Sequence, residues 1–140
     1  MELTNLKPAE RVIDVVSPSS GLPIGLRVRV MSLEDDRLKR IKRQITDESL
    51  KLQARGKGFK ADEIERNGRM LMFAGTLGWD WYNPTGEEGD EGYNPDALPT
   101  FNGEQPTYNE KNFIALISEL TWISDQIQEA IGETKSFFAP

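Results

Sequence analysis

Residues 21–44, GLPIGLRVRVMSLEDDRLKRIKRQ, change their period halfway along. Leu26, Val28 and Val30 alternate with Arg27, Arg29 and Met31, the two-residue repeat of a half-buried strand. Beyond Ser32 the repeat lengthens. Leu38, Ile41, Ile45 and Leu52 recur at helical spacing and form one stripe of a helix. At the junction, Ser32-Leu33-Glu34-Asp35 places a serine three residues ahead of a carboxylate, and Asp36 adds another acid at the positive end of a starting helix. A strand feeding directly into a charged helix predicts an α+β fold.

Upstream, Arg11 to Val16 supplies a partner strand, and the Ser-, Pro- and Gly-rich connection SPSSGLPIG makes an N-terminal β-hairpin with a loop longer than a two-residue turn. Two strands are marginal alone, so this hairpin must pack on helices or on another chain. Downstream, the first helix should stop near Arg55-Gly56. A second helix is expected from Asp62 to about Leu77, with Ile64, Leu71 and Ala74 on one side and Met70, Phe73 and Leu77 beside them. Gly68 and Gly75 weaken it by roughly 1 kcal/mol each relative to Ala, and such glycines let another helix approach closely. Trp79, Trp81 and Tyr82 then stand at the end of this helix, with the tryptophans expected to anchor it in the core and partner docking as the alternative.

Residues 83–107, NPTGEEGDEGYNPDALPTFNGEQPT, mix proline and glycine with acids and cannot sustain a helix or a central strand. A long, mobile acidic loop is expected there. Thr107-Tyr108-Asn109-Glu110 repeats the capping pattern, and Phe113, Leu116, Ile117, Leu120, Ile123, Ile127 and Ile131 follow in steps of three or four. The C-terminal part, 108–140, is therefore amphipathic helix in one piece or two. Ile123 and Ile127 should sit nearest the core, with Ile131, Phe137 and Phe138 toward an exposed, partner-binding end. The expected body is thus a hairpin followed by three to four helices.

At 140 residues and 15.8 kDa the chain has room for a single core, read as one domain over 1–140 with zones at 1–33, 34–82, 83–107 and 108–140. Lys plus Arg is 17 against 23 Asp plus Glu, a formal charge of −6, which argues against bulk phosphate binding. The chain has no His and no Cys, which removes disulfides, thiolate nucleophiles, His-assisted hydrolases and nearly all structural zinc or copper sites. The N-terminal residues do not read as a signal peptide, and no run approaches the roughly 18 apolar residues of a membrane span. A soluble intracellular protein without membrane association is expected.

Charge is nonetheless uneven. Residues 34–70 hold 11 of the 17 basic residues, and the acids cluster in the 83–107 loop. Arg37, Arg40 and Arg43, with Lys39 and Lys42, form a candidate nucleic-acid face, set against the plainer reading of a solvated helix surface offset by neighbouring acids, and RGKGFK at 55–60 resembles a nucleic-acid loop only superficially, a short basic linker between helices explaining it as well. The acidic loop matches no Ca²⁺-loop frame, and its Gly86, Gly89 and Gly92 follow no predicted strand and cradle no phosphate. Catalytic residues, metal ligands and cofactors are all expected to be none.

The ordered set of segments resembles the tail assembly chaperones of long-tailed bacteriophages. It is carried by the Gly25-Leu26-Arg27 start of a strand, by Gly78-Trp79-Asp80-Trp81, and by Trp122-Ile123-x-x-Gln126-Ile127-x-x-Ala130-Ile131 followed by Phe137-Phe138, and it covers roughly residues 12–138. Two departures stand out: the long acidic loop, and Thr121 where that family often starts its last helix with proline. The resemblance implies a small α+β protein without enzymatic activity that binds the long hydrophobic tape measure protein while tail tube subunits polymerise around it. It further implies the cytoplasm of an infected bacterium as its location, absence from the mature virion, and a longer form of the chain made by ribosomal frameshifting as a further partner. Trp79, Trp81, Leu120, Trp122, Ile131, Phe137 and Phe138 are the partner-binding candidates on this reading. The competing readings are a permanent virion component, such as a tail terminator or head-tail joining protein, and a nucleic-acid or host-factor binder, including an acidic DNA mimic.

Overall fold

The computed structural model describes residues 2–3, 9–56 and 61–132. The predicted hairpin is present: β1 (Arg11–Val16) pairs antiparallel with β2 (Pro23–Val30), with Arg11 opposite Val30, Ile13 opposite Val28 and an irregularity between Asp14 and Val16. Its loop is closed by backbone bonds from the Ser17 amide to Leu22 (2.8 Å) and from the Gly21 amide to Ser17 (2.9 Å). A third strand, β3 (Thr76–Trp81), pairs antiparallel with the other edge of β2 and completes a sheet in the order β1-β2-β3. Four α-helices are present among the described residues: α1 (Asp36–Ala54), α2 (Ala61–Ala74), α3 (Glu110–Glu119) and α4 (Thr121–Gly132).

The sheet has two unlike faces because its side chains alternate. Leu26, Val28, Val30, Val15 and Trp79 are buried, and α4 packs on β1 and β2 while α2 packs on β3. On the other face Arg27 pairs with Asp14 (3.2 Å) and lies over the Tyr82 ring (4.1 Å to its centre), and the Tyr82 hydroxyl hydrogen-bonds Asp14. Burial first, and then the bond to Asp14, raises the Tyr82 pKa.

Two glycines make the close crossings possible. Gly25 has φ +101°, and a Cβ there would lie 2.2 Å from the Tyr82 carbonyl, so the chain leaving β3 passes directly over β2. A Cβ on Gly75 would lie 2.9 Å from Ile131 Cδ1 and 3.3 Å from Leu38 Cδ2, which is the close helix approach expected at that position. Gly68 has nothing within 4 Å, so the same expectation fails there.

Three local expectations need correction, and the choice between one and two C-terminal helices is decided. The second helix ends at Ala74 rather than near Leu77, and Trp79 and Trp81 stand on a strand. The Met70, Phe73 and Leu77 spacing mimicked another helical turn across the boundary. Ser32 turns the chain without capping α1: its Oγ accepts from the Glu34 amide (3.0 Å), and the cap passes to Asp35, whose carboxylate accepts from the Arg37 amide (2.9 Å). Asn109, not Thr107, caps α3 by accepting from the Asn112 amide. The C-terminal stripe is two helices, broken at Leu120 (φ −109°, ψ 78°), and Thr121 is the first residue of α4, a place where proline fits well.

The acidic segment contains no α-helix or central strand, as expected, but it is tied down throughout. Asn94 caps a 3₁₀ turn at Pro95–Ala97, the Asn94 amide donates to Thr85 Oγ1 (2.9 Å), and Asp90 accepts from the Glu87 amide (2.8 Å). At its far end the indole N–H groups of Trp79 and Trp81 both donate to the Pro106 carbonyl (3.0 and 3.1 Å). These bonds give the loop a defined path from the end of β3 to the start of α3.

Candidate partner-docking groove

The helices are buried to very different extents. In α3 and α4, Phe113, Leu116, Ile117, Ile123, Ile127, Ala130 and Ile131 are all buried. In α1 only Leu38 is buried among the described side chains, whereas Ile41 and Ile45 are half-buried and Leu50 is exposed. The cause lies in the neighbours. Helix α1 packs along α2 and reaches the rest of the core through Leu38 in its first turn, so a helix of about 28 Å has its apolar stripe covered at one end only.

Between α1, α2 and the start of α3 this leaves an open groove of about 350 Å³. Its floor is Ile41, Ile45, Met70, Phe73 and Ala74, and Gln44, Glu48 and Glu110 line the remainder. The floor is held rigid from behind. Phe73 stacks on Tyr108 (5.8 Å between ring centres) and leans on Phe113 (5.6 Å), and Trp79 meets Tyr108 edge-on (5.2 Å). The Tyr108 hydroxyl donates to the Thr76 carbonyl (3.0 Å), and burial pushes its pKa up to about 12. A smaller cavity of about 140 Å³ opens on α2 between Leu33, Gly68, Leu71, Met72 and Ile131.

The residues singled out from sequence do not come together as one surface. Trp79 and Ile131 are interior, 6% and 5% exposed, so neither presents a docking surface, and the expectation that Ile131 lies toward an exposed end is overturned. Its side chain lies against Gly75, and its carbonyl accepts from the Leu33 amide (3.3 Å). Ile123 and Ile127 are core residues as expected. Trp81, Leu120 and Trp122 are half-buried against the core. Phe137 and Phe138 lie outside the described residues, as do most of RGKGFK at 55–60 and the side chain of Leu52.

On the basic face Arg37 is committed to acids. It pairs with Asp35 (2.9 Å) and Glu10 (3.4 Å), and the hydrogen bond from Arg37 holds the Asp35 carboxyl below the usual carboxylate range. Arg40 Nε donates to the Asp36 carbonyl (3.4 Å), Lys39 pairs with Glu34 (3.0 Å), and Arg43 is exposed. The three arginines are thus one paired with acids, one bonded to backbone and one exposed. Among the described residues no group of three or more His, Cys, Asp or Glu is placed to hold a metal ion, and no helix is long and apolar enough to cross a membrane.

The groove residues escaped the sequence reading because Ile41, Ile45 and Phe73 have the spacing of ordinary core positions. One signal was available. Asp36 to Ala54 is so heavily charged that its thin apolar stripe supports only partial burial. For the misplaced tryptophans, the Trp79-Asp80-Trp81 alternation directly after Gly78 was the legible trace of a strand. Comparison of the chain with protein families, curated proteins and solved structures finds no match.

Proposed function

We propose that this protein is a non-enzymatic assembly chaperone that holds an apolar helical partner in the groove between α1 and α2, the partner being the tape measure protein of a bacteriophage tail. The observation that carries the reading is the uncovered apolar floor formed by Ile41, Ile45, Met70 and Phe73 on a rigid aromatic backing. A helix laid in such a groove replaces water with its own apolar stripe. At roughly 25 cal/mol per Å² of apolar area, a groove of this size gives binding that can be reversed, as an assembly factor that must leave requires. The ordered sequence segments that resemble phage tail chaperones supply the identity of the partner. On this reading the protein works in the cytoplasm of the infected bacterium and is absent from finished particles, and tail tube subunits or a frameshifted longer form of the chain are its further partners.

The test is co-expression with a bacteriophage tape measure protein. The unaltered chain should keep that protein soluble and co-purify with it, and the double variant Ile41→Gln/Met70→Gln should fold normally and fail to do either. Solubilisation unaffected by that variant would refute the groove as the site. Stoichiometric recovery of the chain in purified virions would favour a permanent tail component instead.

A further inference from the structure

The groove is apolar along its floor, but the charge around it has one sign. Glu48 from α1 and Glu110 from α3 both line it, and among the described residues no lysine or arginine does. Neither carboxylate has an ion-pair partner among the described residues, while the basic side chains of α1 that do pair, Arg37 and Lys39, are engaged with Asp35, Glu10 and Glu34. Glu110 is the first residue of α3, so its carboxylate stands at the end of that helix which opens on the groove. An occupant that covers the floor brings its flanking residues up against these two carboxylates, and the low-dielectric surface of the filled groove strengthens whatever charge it meets there.

We infer that the groove selects an amphipathic helix whose apolar stripe is flanked by lysine or arginine, and discriminates against helices flanked by acids. The inference rests on the groove being the partner site and adds which helix of a long partner it takes. Among the described residues a second copy of this chain offers one such helix, α1, and its Ile41 and Ile45 already form the floor of the groove itself. Large apolar residues exposed among the described ones, such as Val12, Leu22, Leu50, Ile64 and Leu98, are scattered singly over different elements, and the stripes of α3 and α4 are already buried. The chemistry therefore points to a different polypeptide that carries its own basic-flanked stripe.

Three short synthetic helices with one leucine stripe at i, i+3, i+4 and i+7, flanked by Lys, Gln or Glu, would test this by fluorescence anisotropy with the full chain at low and moderate salt. The Lys-flanked helix should bind tightest, with about fivefold lost for each favourable charge removed and a preference that shrinks as salt rises. Glu48→Lys/Glu110→Lys should invert the order, with circular dichroism confirming an unchanged fold. Equal binding of the Lys- and Glu-flanked helices, both abolished by Ile41→Gln/Met70→Gln, would overturn the charge selection and leave the groove standing. Binding indifferent to Ile41→Gln/Met70→Gln would overturn both. A dimer in sedimentation that dissociates on Ile41→Gln/Met70→Gln would overturn the inference in favour of self-association.

Discussion

Helices α1 and α4 carry the same kind of stripe, Leu38, Ile41 and Ile45 in one and Ile123, Ile127 and Ile131 in the other, yet only the second is buried along its length. Helix α4 lies over β1 and β2 and alongside α3, and Gln126 ties it to the sheet by accepting from the Val16 amide and donating to the Val16 carbonyl, both at 2.9 Å. Helix α1 has α2 along its side and the core only at its first turn. Spacing within a helix reports which residues share a face. It carries no information about whether anything lies against that face, and in this protein the helix with less around it is the one left with surface to offer.

The contrast is sharpest in the core. Phe113→Ala or Ile127→Ala should lower stability by about 2–5 kcal/mol in chemical denaturation, because each removes a fully buried side chain and leaves a cavity. Ile41→Ala should cost clearly less because solvent already reaches that side chain. Similar losses at the two sites would erase the distinction between a covered and an uncovered stripe.

The next effect concerns the crossing that shapes the body. Gly25→Ala adds a methyl 2.2 Å from the Tyr82 carbonyl at φ +101° and should destabilise by about 1–3 kcal/mol, whereas Gly68→Ala, with open space around it inside α2, should stabilise by up to about 1 kcal/mol through helix propensity. Thermal melts of the two variants should move in opposite directions or, at the least, differ by several degrees.

Gln126→Ala leaves the Val16 amide and carbonyl without their side-chain partner and should cost about 1–2 kcal/mol, with faster amide exchange at the end of β1 and none of that change in α1. Loss of protection in α1 instead would show the helices to be coupled more tightly than their packing suggests.

The smallest effects are electrostatic and sit on the two sides of neutrality. Tyr108 is held protonated by burial, with its pKa raised from 10.0 to about 12. The native state therefore keeps a proton that the unfolded chain loses, and the contribution of this group is full below pH 10 and lost as pH rises toward 12. Tyr108→Phe should flatten that alkaline decline. Asp35 behaves oppositely. Its pKa is lowered from 3.8, so it stabilises above that pH and the contribution disappears as acid protonates it, which should loosen the first turn of α1 before the body unfolds.

The sequence by itself determined the hairpin, the switch from strand to helix after Ser32, the helical stretches on either side of 83–107 and the absence of α-helix or central strand within it, because each is written in local periodicity or in residues with restricted backbones. It also determined that Ile123 and Ile127 face inward. Only the tertiary structure decided that Thr76–Trp81 pairs with β2, since strand pairing joins residues some fifty positions apart and Arg27 finds Asp80 by register rather than by spacing. It likewise decided that Ile131 is covered and Ile41 is not. Burial belongs to pairs of surfaces, and a stripe read along one chain segment shows a single member of the pair.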